Sequence, residues 1–219
     1  MSSSLPALSL LETRVLGVLV EKQHTVPDAY PLTLNALVAG CNQKTSRDPV
    51  LDASDAEVQA SVDHLRTLSL IVESSGGRVM RYAHNVARVL DVPSQSVVLL
   101  AALMLRGPQT ASELRSGTER LHRFADASSV EGFLRELVTR QAGPLVAELP
   151  RQPGTRETRW AHMLSGAYVD ASPPDISGTE ILAVSEVAAL RTNLARVEGE
   201  LSELKAVVAK LCAELGIRA

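Results

Sequence analysis

Cysteine is nearly missing from this chain of 219 residues: Cys41 and Cys212 stand far apart and in no CxxC or Cys/His spacing. That rules out a disulfide framework and fits a reduced compartment. Long apolar runs are also missing. The richest, Val97 to Leu105, is far shorter than the roughly 20 residues that span a bilayer. The start, MSSSLPALSLLE, lacks the basic residues and long apolar stretch of a signal peptide. We therefore expect a soluble cytoplasmic protein with no membrane contact. Nor is there an excess of positive charge. The net charge is −3; residues 1–90 carry 8 basic and 9 acidic side chains, residues 91–166 carry 9 and 8, and residues 167–219 carry 5 and 8. No segment is basic enough to hold phosphate backbones regardless of sequence, so any DNA affinity has to come from local patches.

Catalytic and metal signatures are absent too. His24, His64, His84, His122 and His162 form no HxxxH pair and have no Cys or clustered carboxylates at ligand spacing. No Ser/His/Asp context, phosphate-cradling glycine loop or HExxH occurs. The expectation is a protein without enzymatic activity, metal or cofactor. Cys41 ends the apolar stripe of its helix and reads as a small buried hydrophobe.

What is present is helix-start chemistry. Ser9/Glu12, Ser54/Glu57, Thr110/Glu113 and Ser128/Glu131 each place a hydroxyl three residues before a Glu, the spacing at which the two side chains satisfy free N–H groups of a first turn. LLETRVLGVLVEK sets Leu11, Val15, Val18 and Leu19 on one side of a first helix, ended by Pro27 and Pro31. PLTLNALVAGCNQ gives a second, with Leu34, Leu37 and Val38, and SDAEVQASVDHLRTLSL a third, with Val58, Val62 and Leu65 inward. The period then becomes alternating: LIVES, a turn at Gly76 and Gly77, and RVMRYAH read as a β-hairpin. Three helices and a hairpin is the order of a winged helix-turn-helix domain.

The order recurs in SQSVVLLAALMLR, TASELRSGTERL, SSVEGFLRELVTRQ, PLVAELP and TRETRWAH. RYAH at 81–84 and RWAH at 159–162 become equivalent closing strands, with Tyr82 and Trp160 packed on the helices, Arg81 and Arg159 toward water, and His84 and His162 as matching strand-end residues. DAS precedes or begins the third helix in both copies, at Asp52 and at Asp126. The apolar stripes of the third helices align with a one-residue shift that pairs Val58 with Phe133 and Val62 with Leu137. The fold class read here is mainly α with small β-hairpins (α+β): a winged-helix domain at 1–90, a second at 91–166, a linker rich in Gly, Ser and Pro at 167–180 and a coiled-coil helix at 181–219.

The phrases EKQHTVPDAYPLTLNAL (21–37), CNQKTSRDPV (41–50), LMLRGPQTASELRS (103–116) and RETRWAHMLSG (156–166) resemble the YceH-like family of bacterial tandem winged-helix proteins. The resemblance runs up to the linker and implies the fold and nothing chemical, since the family carries no established site residues. The sequence departs from it at Ser46, where Asn is expected, at Ala111-Ser112, where Pro-Gly is expected, and at Trp160, where Tyr is expected.

Two readings of function follow. In the first, the protein is a DNA-binding, regulator-like dimer. Gln43, Lys44, Thr45 and Arg47 of the loop 42–50 would offer donors to phosphates, joined by Arg115, Arg120 and Arg123 around the second helix of the second copy. Hairpin cations Arg78, Arg81, Arg151, Arg156 and Arg159 would add to them. In the second reading, winged helices bind a protein partner. It draws on the third helix of the first copy, which carries Asp55, Glu57 and Asp63 against Arg66 alone, an acidic probe for a polyanion. The same residues also allow a purely structural role: a turn in which Asn42 caps, Arg47 pairs with Asp48 or Asp52 and Pro49 fixes the chain direction, and a solvated helix face on which Glu119 pairs with Arg115 and Arg123. A surface whose arginines are paired with carboxylates would favour protein; one continuous basic face would favour DNA.

Near the C-terminus, Val187, Leu190, Leu194, Val197, Leu201, Leu204, Val208, Leu211 and Leu215 alternate spacings of three and four. This heptad seam pairs two chains in a parallel homodimer, with Glu186 facing Arg191 and Glu200 facing Lys205, or else folds back on its own chain.

Overall fold

A capping box opens the first helix, α1 (Leu10–Thr25): the Glu12 N–H donates to Ser9 Oγ at 3.2 Å and the Ser9 N–H to Glu12 Oε2 at 2.6 Å. The computed structural model describes residues 5–75, 79–151, 154–155 and 157–166. Within α1 every residue from Glu12 to Val20 is buried, so the helix is not the one-sided amphipath expected from Leu11, Val15, Val18 and Leu19. A helix covered all round has neighbours on more than one side. On one side lie α2 (Leu34–Cys41) and α3 (Asp55–Thr67); α5 (Ser94–Arg106) packs against α1 more extensively than any other element does. The approach to α5 is close at Gly17, where an added Cβ would stand 2.8 Å from Leu105 Cγ.

After a 3-10 turn at Pro27–Ala29, Leu32 forms an isolated antiparallel bridge with Tyr82. Thr33 then caps α2, accepting from the Ala36 N–H at 3.4 Å, and the Ser54/Glu57 capping box opens α3. Strand β1 (Ile71–Ser75) pairs antiparallel with β2 (Met80–His84) in the register Ile71 to His84. A short helix the sequence did not suggest, α4 (Val86–Leu90), leads to α5. There follow β3 (Gln109–Thr110), α6 (Ala111–Gly117), α7 (Ala127–Val138), β4 (Val146–Glu148) and β5 (Arg159–His162), with β5 central in a sheet ordered β3-β5-β4. Among the described residues the architecture is therefore seven α-helices with small antiparallel sheets.

The two halves correspond more closely than the sequence suggested. Leu32 pairs with Tyr82 and Gln109 with Trp160, and the next residue, Thr33 or Thr110, caps the following helix in each case. Tyr82 and Trp160 are both buried, as expected. The cap of α7 is Asp126, bonded to the Ser129 N–H at 2.7 Å, and not Ser128 with Glu131. Counted from the caps Ser54 and Asp126, the buried Val58, Val62 and Leu65 of α3 fall at the same positions as Val130, Leu134 and Leu137 of α7. No one-residue shift is needed, and the two DAS triplets are out of register because Ser caps one helix and Asp the other. One hydrophobic cluster runs from Leu8 through α1 and α5 to Leu164, so the halves share a core rather than holding one each.

Candidate functional site

The loop between α2 and α3 is tied down from within. Arg14, with no exposed surface, projects from α1 and donates to the carbonyls of Cys41 at 3.2 Å and Pro49 at 2.6 Å. Arg47 is also buried. Its Nε donates to the Gly40 carbonyl at 3.1 Å, and its two terminal nitrogens form a fork with Glu21, Nη1 to Oε1 at 3.1 Å and Nη2 to Oε2 at 2.6 Å. The remaining donors reach the Ser46 carbonyl and Gln43 Oε1. Burial alone would raise the Glu21 carboxyl, but the Arg47 hydrogen bonds and charge, with Lys22 behind them, hold it below the usual carboxylate range. Asn42 stands at the C-cap of α2 and clamps Ala53 through two 2.8 Å hydrogen bonds.

Arg47 therefore has no donor left for an external phosphate, and its partner is Glu21 rather than Asp48 or Asp52. Gln43 is occupied by Arg47, by Lys22 Nζ at 3.3 Å and by a bond to Thr45 at 3.2 Å. Of the four loop candidates only Lys44 and Thr45 are exposed. No motif in the sequence singles out Glu21, which lies 26 residues from Arg47.

Other candidate cations are also engaged. Arg66 of α3 bonds Glu73 at 2.7 Å and lies 3.8 Å from Asp63; Arg135 of α7 pairs with Glu131 at 3.1 Å; Arg159 lies 3.6 Å from Glu113. Arg81 donates to the carbonyls of Pro31 at 2.8 Å and Ala29 at 3.4 Å. Arg78 and Arg156 lie outside the described residues. Arg115, Arg120 and Arg123 are exposed and, among the described residues, have no carboxylate within ion-pair distance. Helix α6 ends at Gly117, so Glu119 has no helical turn on which to pair with Arg115 or Arg123, and the expected intrahelical pairing does not form. On α3, Asp55 and Glu57 face solvent, Glu57 being held low by its bonds to Ser54. Asp63 is half-buried and bonded to Gln59 at 3.1 Å.

Burial drives the Cys41 thiol up to about 12, so it stays protonated and unreactive. The His84 and His162 rings, equivalent in the two halves, are pushed down to about 4 by burial, His84 further by His24. Both are neutral at pH 7. Nδ1 is buried in each, with no hydrogen-bond partner among the described residues, while His84 Nε2 lies 2.6 Å from Gln23 Oε1. No group of three or more His, Cys, Asp and Glu suited to a metal ion occurs among the described residues, and no described helix is long and apolar enough to cross a membrane.

Residues 8–155 match the family described as "Protein of unknown function, DUF480". The chain belongs to the DUF480 family. It is 56% identical over 217 residues to a UPF0502 protein of Methylibium petroleiphilum, covering 98% of this chain and 93% of that protein. A UPF0502 protein of Burkholderia multivorans is 55% identical over 218 residues, with coverage of 99% and 92%. One of Dechloromonas aromatica is 54% identical over 209 residues, with coverage of 95% and 97%. The YceH-like motifs thus pointed to the right family. Two departures of this DUF480 chain from the expected pattern acquire physical meaning. Ser46 has φ 58°, a left-handed conformation that Asn adopts more readily. Ala111 begins α6, the first helical position, which suits Pro.

Proposed function

We propose that the protein is a non-enzymatic binding protein built from two winged-helix halves, and that the surface around α3 docks a protein rather than reading DNA. The repeated order of helices and hairpin, with the matched pairs Leu32–Tyr82 and Gln109–Trp160, supports the winged-helix reading. The observation that carries the protein-docking reading is the internal use of arginine charge: Arg47 goes to Glu21, Arg66 to Glu73, Arg135 to Glu131 and Arg159 to Glu113. On the solvent side of α3, Asp55 and Glu57 are exposed, and the exposed Arg66 there has its charge answered by Glu73. Exposed carboxylates steer a basic partner and repel a polyanion. Reversing Asp55 and Asp63 to Lys tests this; Glu57 is left alone because it closes the capping box. The folded double variant is expected to lose the partners that the natural chain captures by cross-linking in lysate. Unchanged capture would discard α3 as the docking face.

A second reading, DNA binding through the second half, has its own support in the exposed Arg115, Arg120 and Arg123, which among the described residues have no carboxylate within ion-pair distance. Its mark is affinity that falls steeply with salt and flattens when these arginines become Ala. The heptad from Val187 to Leu215 lies outside the described residues. As a sequence pattern it supports a homodimer, which suits either symmetric DNA half-sites or a paired protein partner. Light scattering on the full chain is expected to give a dimer, and a monomer at tens of micromolar would remove that element.

A further inference from the structure

We propose that the cleft framed by the N-terminal segment, the end of α4 and the α7–β4 loop binds a small carboxylic acid with an apolar body. The cleft holds about 380 Å³ and lies in the size range of small-molecule sites. Its walls are apolar, with Leu5, Val89, Leu145, Met163 and Leu164 among them, and among the described residues Arg140 is the only charged side chain that lines it. The frame is fixed by backbone hydrogen bonds: Leu8 N–H to the Leu164 carbonyl at 2.8 Å, Met163 N–H to the Leu145 carbonyl at 2.8 Å, and Leu145 N–H to the Leu137 carbonyl at 3.0 Å.

Arg140 gives the cleft its ligand preference. The half-buried guanidinium donates to two backbone carbonyls, those of Leu90 and Gly143. Among the described residues it has no carboxylate partner, unlike Arg47, Arg66, Arg135 and Arg159. An arginine has five N–H donors and stays charged at any ordinary pH. Two carbonyls leave donors unused and the charge uncompensated beside apolar walls, where an anion gains more than it would in water. A carboxylate matches the planar fork. Its apolar remainder would lie against Val89, Leu145, Met163 and Leu164. A neutral alcohol of the same shape would fill the walls and leave the cation unanswered. The site does not depend on the α3 docking face or on the arginines around α6.

The full-length protein is titrated with hexanoate and benzoate, and in parallel with hexan-1-ol and benzyl alcohol, against sodium chloride at equal ionic strength. The readouts are calorimetric binding and the thermal midpoint, which rises with the concentration of any ligand that binds only the folded state. Both acids are expected to bind saturably, and more tightly than the alcohols. Arg140→Gln should weaken acid binding by about tenfold or more, since a charge-assisted pair is lost. Because Arg140 also ties α4 to the loop, Ala142→Trp serves as a second variant that keeps the arginine and fills the cleft. No saturable binding of either acid to the full-length protein would overturn the proposal. So would alcohols that bind as tightly as the acids, or a folded variant of either kind that binds like the natural chain.

Discussion

Replacing Arg47 with Ala removes the centre of the α2–α3 loop. The side chain, with no exposed surface, makes five hydrogen bonds, two of them the fork to Glu21. Truncation leaves Glu21 mostly buried with only the half-buried Lys22 at 3.2 Å to answer its charge. Removing one partner of a buried ion pair costs about 3–5 kcal/mol. Against a total stability of roughly 5–15 kcal/mol, that is a large share. The Arg47→Ala protein should therefore show a lower urea midpoint by circular dichroism with an unchanged slope. Glu21→Gln in the same background should restore part of the loss, because the orphaned charge is gone. If Arg47→Ala instead changed stability by no more than about 0.5 kcal/mol, as an ordinary surface substitution does, the interior role assigned to Arg47 would be wrong.

Three further outcomes follow from the packing. Tyr82→Ala and Trp160→Ala each remove a buried ring and should cost about 3–5 kcal/mol. Because the halves share one core, each variant should melt in a single transition; two separated transitions would show that the halves are independent. Gly17→Val forces a side chain into Leu105 and should cost about 1–3 kcal/mol by overpacking, measured by thermal denaturation. His84 and His162, whose folded values of about 4 lie below the unfolded 6.5, bind protons more readily in the unfolded chain. Stability should thus be insensitive to them above about pH 6.5 and fall as pH drops toward 4, by at most about 3 kcal/mol each. His84→Gln with His162→Gln should flatten that decline in urea midpoints measured across the range; an unchanged slope would mean both rings are already solvated.

Local chemistry was legible and long-range chemistry was not. Ser9, Ser54 and Thr110 could be picked out as caps because a hydroxyl and a Glu three residues on complete the motif by themselves. Asp126 was passed over for Ser128, since Asp with Ser129 performs the same task with a different residue pair. The burial of α1 on all sides depends on α5, far along the chain, and no periodicity within residues 10–25 announces it. The loop 42–50 looked like a row of donors because its principal acceptor, Glu21, and its anchor, Arg14, belong to another helix. Arg140 carried no sequence signal at all. Its significance comes from the apolar walls that four separate segments bring around it.

The central claim, that protein rather than DNA is the partner, is tested most directly by fluorescence anisotropy of labelled random and genomic duplexes with the full-length chain at low salt. No saturable binding is expected at micromolar protein. Binding that weakens with a slope of about −0.9 in log affinity per log salt for each phosphate contact, and that disappears when Arg115, Arg120 and Arg123 are replaced by Ala, would contradict it.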